Sequence, residues 1–399
     1  MPVIPLGEKP PNPQPVKGLT PFALGFRPFF SVAALSGVAL LGIWLAIWFG
    51  LLPPPAHYGL IGWHSHEMLF GYTSAVIAGF ILTAVRNWTG IDTLKGTPLA
   101  LLTLIWLLGR VTPFIYSVPA PLIALIDISF LPLLTLALYQ PLIKSRNKIN
   151  RIFLPLIATM GLANLLVHLE ALGVAAFANK GIDLMLNMIL ILLTLVSGRV
   201  LPFFTEKAVA ESKPVSNKLR DQLVFSLIIG WTLMQLVCPQ PWLLGVLAIG
   251  IAASQAWRFI DWYHPQIWRV PILWVLFTGL GWLIVGFLLK ALAQFGFYPD
   301  SLATHALTSG AVGVLTLGMM ARVTLGHTGR ELQPKQLVEI NFIILNLAVV
   351  LRVFTPALVP DLHDLWIQLS GSLWILCFSL FSFYYLPILL RPRIDGRPG

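Results

Sequence analysis

Apolar runs of roughly twenty residues, separated by short polar or proline-rich turns, recur twelve times along this chain of 399 residues. A run of that length crosses a bilayer as one helix, because about 20 residues at 1.5 Å rise cover the hydrocarbon core. The pattern predicts spans at 29–52, 64–86, 97–117, 119–141, 152–177, 182–205, 219–239, 241–259, 270–294, 301–325, 335–356 and 365–390. The fold class is therefore all-α, a polytopic membrane bundle of about twelve transmembrane helices. The third and fourth spans (joined by SVPAP) and the seventh and eighth (joined by CPQP) are connected too tightly for anything but antiparallel hairpins. The longest hydrophilic loop, about 206–221, divides a single membrane domain, residues 22–399, into six plus six spans without a convincing internal repeat. Residues 1–21 are proline-rich and lack an apolar core, so they read as a cytosolic tail and not as a secretory signal.

Composition agrees with that pattern. Only 11% of residues are charged, against about 25% in soluble domains. The net charge of +10 does not point to nucleic acid, because lysine and arginine sit in the turns between spans. With the N-terminus inside, 22 of the 26 fall on the cytosolic side, leaving only Arg110, Lys180, Lys290 and Arg352 elsewhere. Such a bias orients both termini to the cytosol. Cys238 and Cys377 stand apart without C-x-x-C spacing and read as small buried hydrophobes.

Ionisable residues inside a membrane mark binding or transport, since the hydrocarbon tolerates them nowhere else. His64, His66, Glu67, His168, Glu170 and His305 all fall near the outer boundary, with His57 and His363 in loops above them. His305 and His327 are about 33 Å apart on one helix and cannot share a site. Neutral imidazole coordinates iron, copper or zinc, so His64, His66, His305 and His168 are the candidate metal ligands. Residues two apart on a helix point about 200° apart. His64 and His66 then either serve two centres, or reach one ion from a segment not yet helical. Glu67 is expected on the face of His64, to orient that imidazole or accept protons. His168 reads as a ligand, a proton carrier, or a packed side chain bonded to Asn164. Arg110 and Asp127 flank the third-to-fourth hairpin at nearly equal distance and predict a buried ion pair. Arg110 or Arg352 could otherwise bind porphyrin propionates bidentately. Gly310, Gly313 and Gly318 suit either close helix packing or a flat ligand.

LGFRPFF (24–30), WHSHEMLFG (63–71), GFILTAVRNWTG (79–90), LLGR (107–110), GRVLPFFT (198–205) and HALTSGAVGVLTLGMMARVTLGHTGR (305–330) together resemble the NnrS family. The resemblance spans nearly the whole chain. It implies a twelve-span protein of the bacterial inner membrane, containing haem and copper and tied to nitric oxide stress. His64, His66 and His305 match the family's histidine motifs; His168 comes from the residues alone.

The first functional expectation is a protein with b-type haem, and with copper, that binds nitric oxide and reduces it. Glu67, Glu170 and Asp127 are the expected proton-moving acids, and a quinol is the expected electron donor, since no C-x-x-C-H or copper-thiolate site exists. Haem–copper oxidases also use a His-x-His pair for two centres, although they need more intramembrane histidines than this chain offers. The alternatives are a secondary transporter of haem, copper or a metal nitrosyl, and a nitric oxide sensor without turnover.

Overall fold

The computed structural model describes residues 18–396, so the predicted N-terminal tail lies almost entirely outside the described residues. Among these residues there is no strand. Twelve long helices follow one another: α1 (Phe26–Trp48), α2 (Leu60–Thr89), α3 (Thr97–Val111), α4 (Ala120–Lys144), α5 (Phe153–Ala171) and α6 (Ala178–Ala208). Then come α7 (Lys218–Val237), α8 (Pro241–Trp262), α9 (Pro271–Gln294), α10 (Asp300–His327), α11 (Gln336–Val353) and α12 (His363–Leu390). Eleven are long and apolar enough to cross a membrane. The twelfth, α7, opens on Lys218, Arg220 and Asp221, and Arg220 pairs with Asp221 and with Asp261 at the end of α8. The chain is a multi-pass membrane protein.

Several helix ends differ from the hydropathy reading, each for a local reason. α1 begins before residue 29 because the buried Arg27 guanidinium donates to the carbonyls of Leu389 and Arg391, at 2.8 and 2.6 Å. α5 stops short of 177 because Gly173 turns the chain with φ +71°, a conformation glycine adopts at little cost. α6 starts early because the Glu170 carboxylate accepts from Ala178 N at 2.8 Å, closing its first turn. Cys238 is exposed at the end of α7, against the buried position expected for it, while Cys377 is buried.

Two helices occupy the centre. α2 packs on α1, α3, α4, α6 and α10, and α10 packs on α1, α6, α9, α11 and α12 as well. Glycines permit the close approach: a Cβ at Gly79 would stand 2.8 Å from Phe30, and one at Gly310 would stand 2.9 Å from Trp282. Gly313 and Gly318 likewise seat Trp374 and Val275, so helix packing accounts for all three glycines of α10.

Both central helices widen into a π-helical stretch directly after a histidine, Glu67–Thr73 after His66 and Ala306–Gly313 after His305. Such stretches accommodate an extra residue and are frequent at functional sites. Side chains take up the loosened carbonyls: Trp106 Nε1 donates to Gly71 O at 3.1 Å and Thr73 Oγ1 to Met68 O at 2.7 Å. The first and last described segments meet at one end of the bundle, where Thr20 N donates to Leu390 O. The α1–α2, α3–α4 and α5–α6 turns lie at the other end, called here the histidine end.

Candidate functional site

At the histidine end, α2 presents His64 to one side and His66 to the other. His64 faces a cavity of about 430 Å³ enclosed by side chains of α1, α2, α6, α10, α11 and α12. Its walls are largely apolar, with Trp44, Trp48, Tyr72 and Trp374 contributing rings. The His64 ring stacks on Trp44 with centroids 4.2 Å apart. Across the cavity His305 stands nearly parallel to His64, with centroids 6.4 Å apart and planes inclined by 14°. His305 Nδ1 donates to Ser301 O at 2.7 Å, which leaves Nε2 with its lone pair. No hydrogen bond holds His64 among the described residues. Arg352 lines the same cavity, and its Nη1 is buried without a hydrogen-bond partner among the described residues. His363 lines it too.

His66 belongs to a different place. It is fully buried among side chains of α3, α4 and α5 and the α1–α2 loop. Its Nδ1 lies 3.1 Å from Glu67 Oε1, and its Nε2 lies 3.1 Å from both Asp127 Oδ2 and Asn164 Oδ1. His168 Nε2 approaches the same Asp127 Oδ2 at 2.9 Å, and Asn164 Nδ2 donates to it at 2.9 Å. Arg110 ties the acids together, through Nη2 to Asp127 Oδ1 and through Nε to Glu67 Oε2 at 3.0 Å. One ligating atom each from His66, Asp127 and His168 lie within 4.8 Å of one another, a group able to hold a metal ion.

The outer nitrogens of the two histidines are held as well, His66 Nδ1 by Glu67. His57, from the α1–α2 loop, places Nε2 3.0 Å from His168 Nδ1. Burial first, and then the imidazoles of His168 and His66, push the His57 pKa down to about 4, so it meets His168 as a neutral ring. The Tyr58 hydroxyl sits 3.4 Å from Nε2 of both His66 and His168, and its ring stacks on His66. Metal-ligating histidines characteristically have the second nitrogen fixed, as Glu67 and His57 fix these two.

The structure thus separates residues that the sequence grouped. His64, His305 and Arg352 share the cavity; His66, Glu67, His168, Arg110 and Asp127 share the buried cluster. The expected Arg110–Asp127 ion pair forms. Glu67 departs from expectation: it bonds to its neighbour His66 and not to His64, because Arg110 on α3 draws its second oxygen to that side of α2. His168 bonds to Asp127 and His57, whereas Asn164, its expected partner, bonds to Asp127 and His66. Glu170 is exposed and joins neither group. His327 packs on Phe26 at the opposite end, far from His305 as the helix length requires. His264 is a loop residue whose Nδ1 accepts from Gln266 N. Unforeseen members are Tyr58 and Trp44, with Asp183 in the cavity wall; aromatic residues near a bilayer surface are too common to single out.

The family model described as NnrS protein matches residues 20–393, nearly the whole chain. No curated protein matches it.

Proposed function

This chain belongs to the NnrS family, whose members are membrane proteins of the nitric oxide response, and on that footing we propose that its cavity holds a haem at which nitric oxide is bound and reduced. The observation that carries the reading is the His64–His305 pair. Two imidazoles sharing one ion from opposite sides would have centroids roughly 6.3 Å apart, given metal–nitrogen bonds of about 2.0–2.1 Å. The separation of 6.4 Å between near-parallel rings agrees with that spacing. Arg352 Nη1, without a hydrogen-bond partner among the described residues, suits a propionate carboxylate, and the aromatic walls suit a flat apolar ring.

Bound there, the haem iron supplies the diatomic-binding position and one-electron chemistry. The chain's own residues assign unequal parts to the two histidines. His305, fixed by its bond to Ser301 O, would be the residue that holds the iron throughout. His64 has no hydrogen bond among the described residues and stacks on Trp44, so it would be the side chain to yield to nitric oxide.

His66, His168 and Asp127 are proposed to hold a second metal, copper. Imidazole suits copper, iron and zinc alike, copper being the one that the family resemblance implies, and the division of Asp127, one oxygen to Arg110 and one to the histidines, leaves a ligating atom free of the guanidinium. The lysine and arginine distribution supports cytosolic termini, which puts both sites in the periplasmic half of an inner-membrane protein. A quinol is the proposed reductant.

Purified protein should show a Soret band and a pyridine haemochrome, and His305→Ala should abolish both. Wild-type spectra in both His64→Ala and His305→Ala would overturn the ligand assignment. Nitrous oxide formed from nitric oxide and a quinol tests turnover; none above a haem-free control would leave a binding protein and not a reductase.

A further inference from the structure

Of the acids at the histidine end, those that stand out in the sequence lie away from the cavity. Glu67 and Asp127 pair with Arg110 across α2, and Glu170 closes the first turn of α6. Among the described residues one carboxylate lines the cavity, that of Asp183 in the second turn of α6. Its surroundings are defined. Lys290 on α9 lies near it but is committed to both oxygens of Asp300, at 2.8 and 2.9 Å. Asp300 is the other charge that acts on it. The Asp183 carboxyl lies within the electrostatic reach of the Gln235 side chain on α7. Asn187, one turn further along α6, donates Nδ2 to Gln235 Oε1 at 2.9 Å, so the Gln235 amide nitrogen is the atom left to donate to Asp183.

We infer that Asp183 passes protons from the α6–α7 edge of the bundle into the cavity. The inference rests on the reading of the cavity as a site of nitric oxide reduction. That reaction joins two nitric oxide molecules through a new N–N bond and breaks one N–O bond. The departing oxygen leaves as water with two protons, and the two electrons come from a quinol oxidised to quinone. Asp183 gives a proton to the departing oxygen and recovers one past the half-buried Gln235. Glu67 and Asp127 spend their oxygens on the Arg110 guanidinium and the buried imidazoles, on the far side of α2 from the cavity. Asp183 makes no ion pair among the described residues and lines the cavity itself.

The test uses the full-length protein in detergent. Dicyclohexylcarbodiimide, which reacts with protonated carboxyls in apolar surroundings, should label Asp183 and leave Glu67 and Asp127 unmodified, as mapped by peptide mass spectrometry. In Asp183→Asn the label should vanish, and turnover should fall by about 100-fold or more, the range of a lost acid–base group. The Soret band and nitric oxide affinity should stay as in wild type, and Asp183→Glu should restore most of the rate. An unlabelled Asp183 in a haem-loaded protein, or turnover of Asp183→Asn within twofold of wild type, would overturn the assignment. The labelling arm needs no variant to fold, and it can fail while the haem spectrum stands. A haem-free wild-type preparation would instead remove the reading beneath it.

Discussion

The two faces of α2 differ in the way that a site for exchange differs from a site for retention. On the His64 side the walls are apolar, the histidines are half-buried, and one of them has no hydrogen bond. On the His66 side the exposure of His66 and Glu67 falls to 0% and 1%, and nearly every polar atom has a partner. Ligand turnover needs open volume and a movable side chain; holding charge inside a bundle needs the opposite. The difference teaches that one helical turn can serve both, because the locked face fixes the backbone from which the open face projects.

The comparison breaks most sharply at His305. His305→Ala should lower haem per protein at least tenfold, while His66→Ala should lower bound copper and leave haem within twofold. Equal loss of both in either variant would mean that the sites are not independent. Arg110→Gln comes next: it removes the one guanidinium that Glu67 and Asp127 share inside the bundle, leaving imidazole and amide partners only, a loss of about 3 kcal/mol. Denaturant or thermal unfolding in detergent should register it, whereas Arg352→Gln should weaken haem retention with little change in stability. His64→Ala should keep the haem, shift its spectrum toward a five-coordinate form, and speed nitric oxide binding in stopped flow by about tenfold or more. An unchanged rate would show that His64 does not gate the iron. The smallest effect is expected of Tyr58→Phe, which removes a hydroxyl at 3.4 Å from both imidazoles and should cost no more than about 1.5 kcal/mol.

The bundle is readable from the chain because hydropathy reports membrane spans directly. It misplaced ends where burial was compensated locally, as at Arg27, whose charge is met by two carbonyls. α7 is weak by hydropathy because its first turn is charged, yet pairing with Asp261 lets it pack. The His-x-His spacing correctly allowed for two destinations, and counting residues around the hairpin brought Arg110 to Asp127. What spacing cannot supply is which acid serves which imidazole. Glu67 follows the guanidinium of another helix, and His57 reaches His168 from a loop with no periodicity to read. Asp183 in ANKGIDLM looks like an ordinary polar residue at a span's edge, and only the packing of six helices makes it a cavity wall.

The π-helical stretches have a consequence for how this architecture can change. Each interrupts the regular phase of its helix between the ligand-bearing turn and the segment beyond. Deleting a single residue from 67–73 would restore α-helical phase and rotate the preceding turn by about 100° against the rest of α2. His64 would then leave the cavity while everything from Ser74 onward kept its neighbours. One deletion would thus re-aim a histidine on an unchanged scaffold.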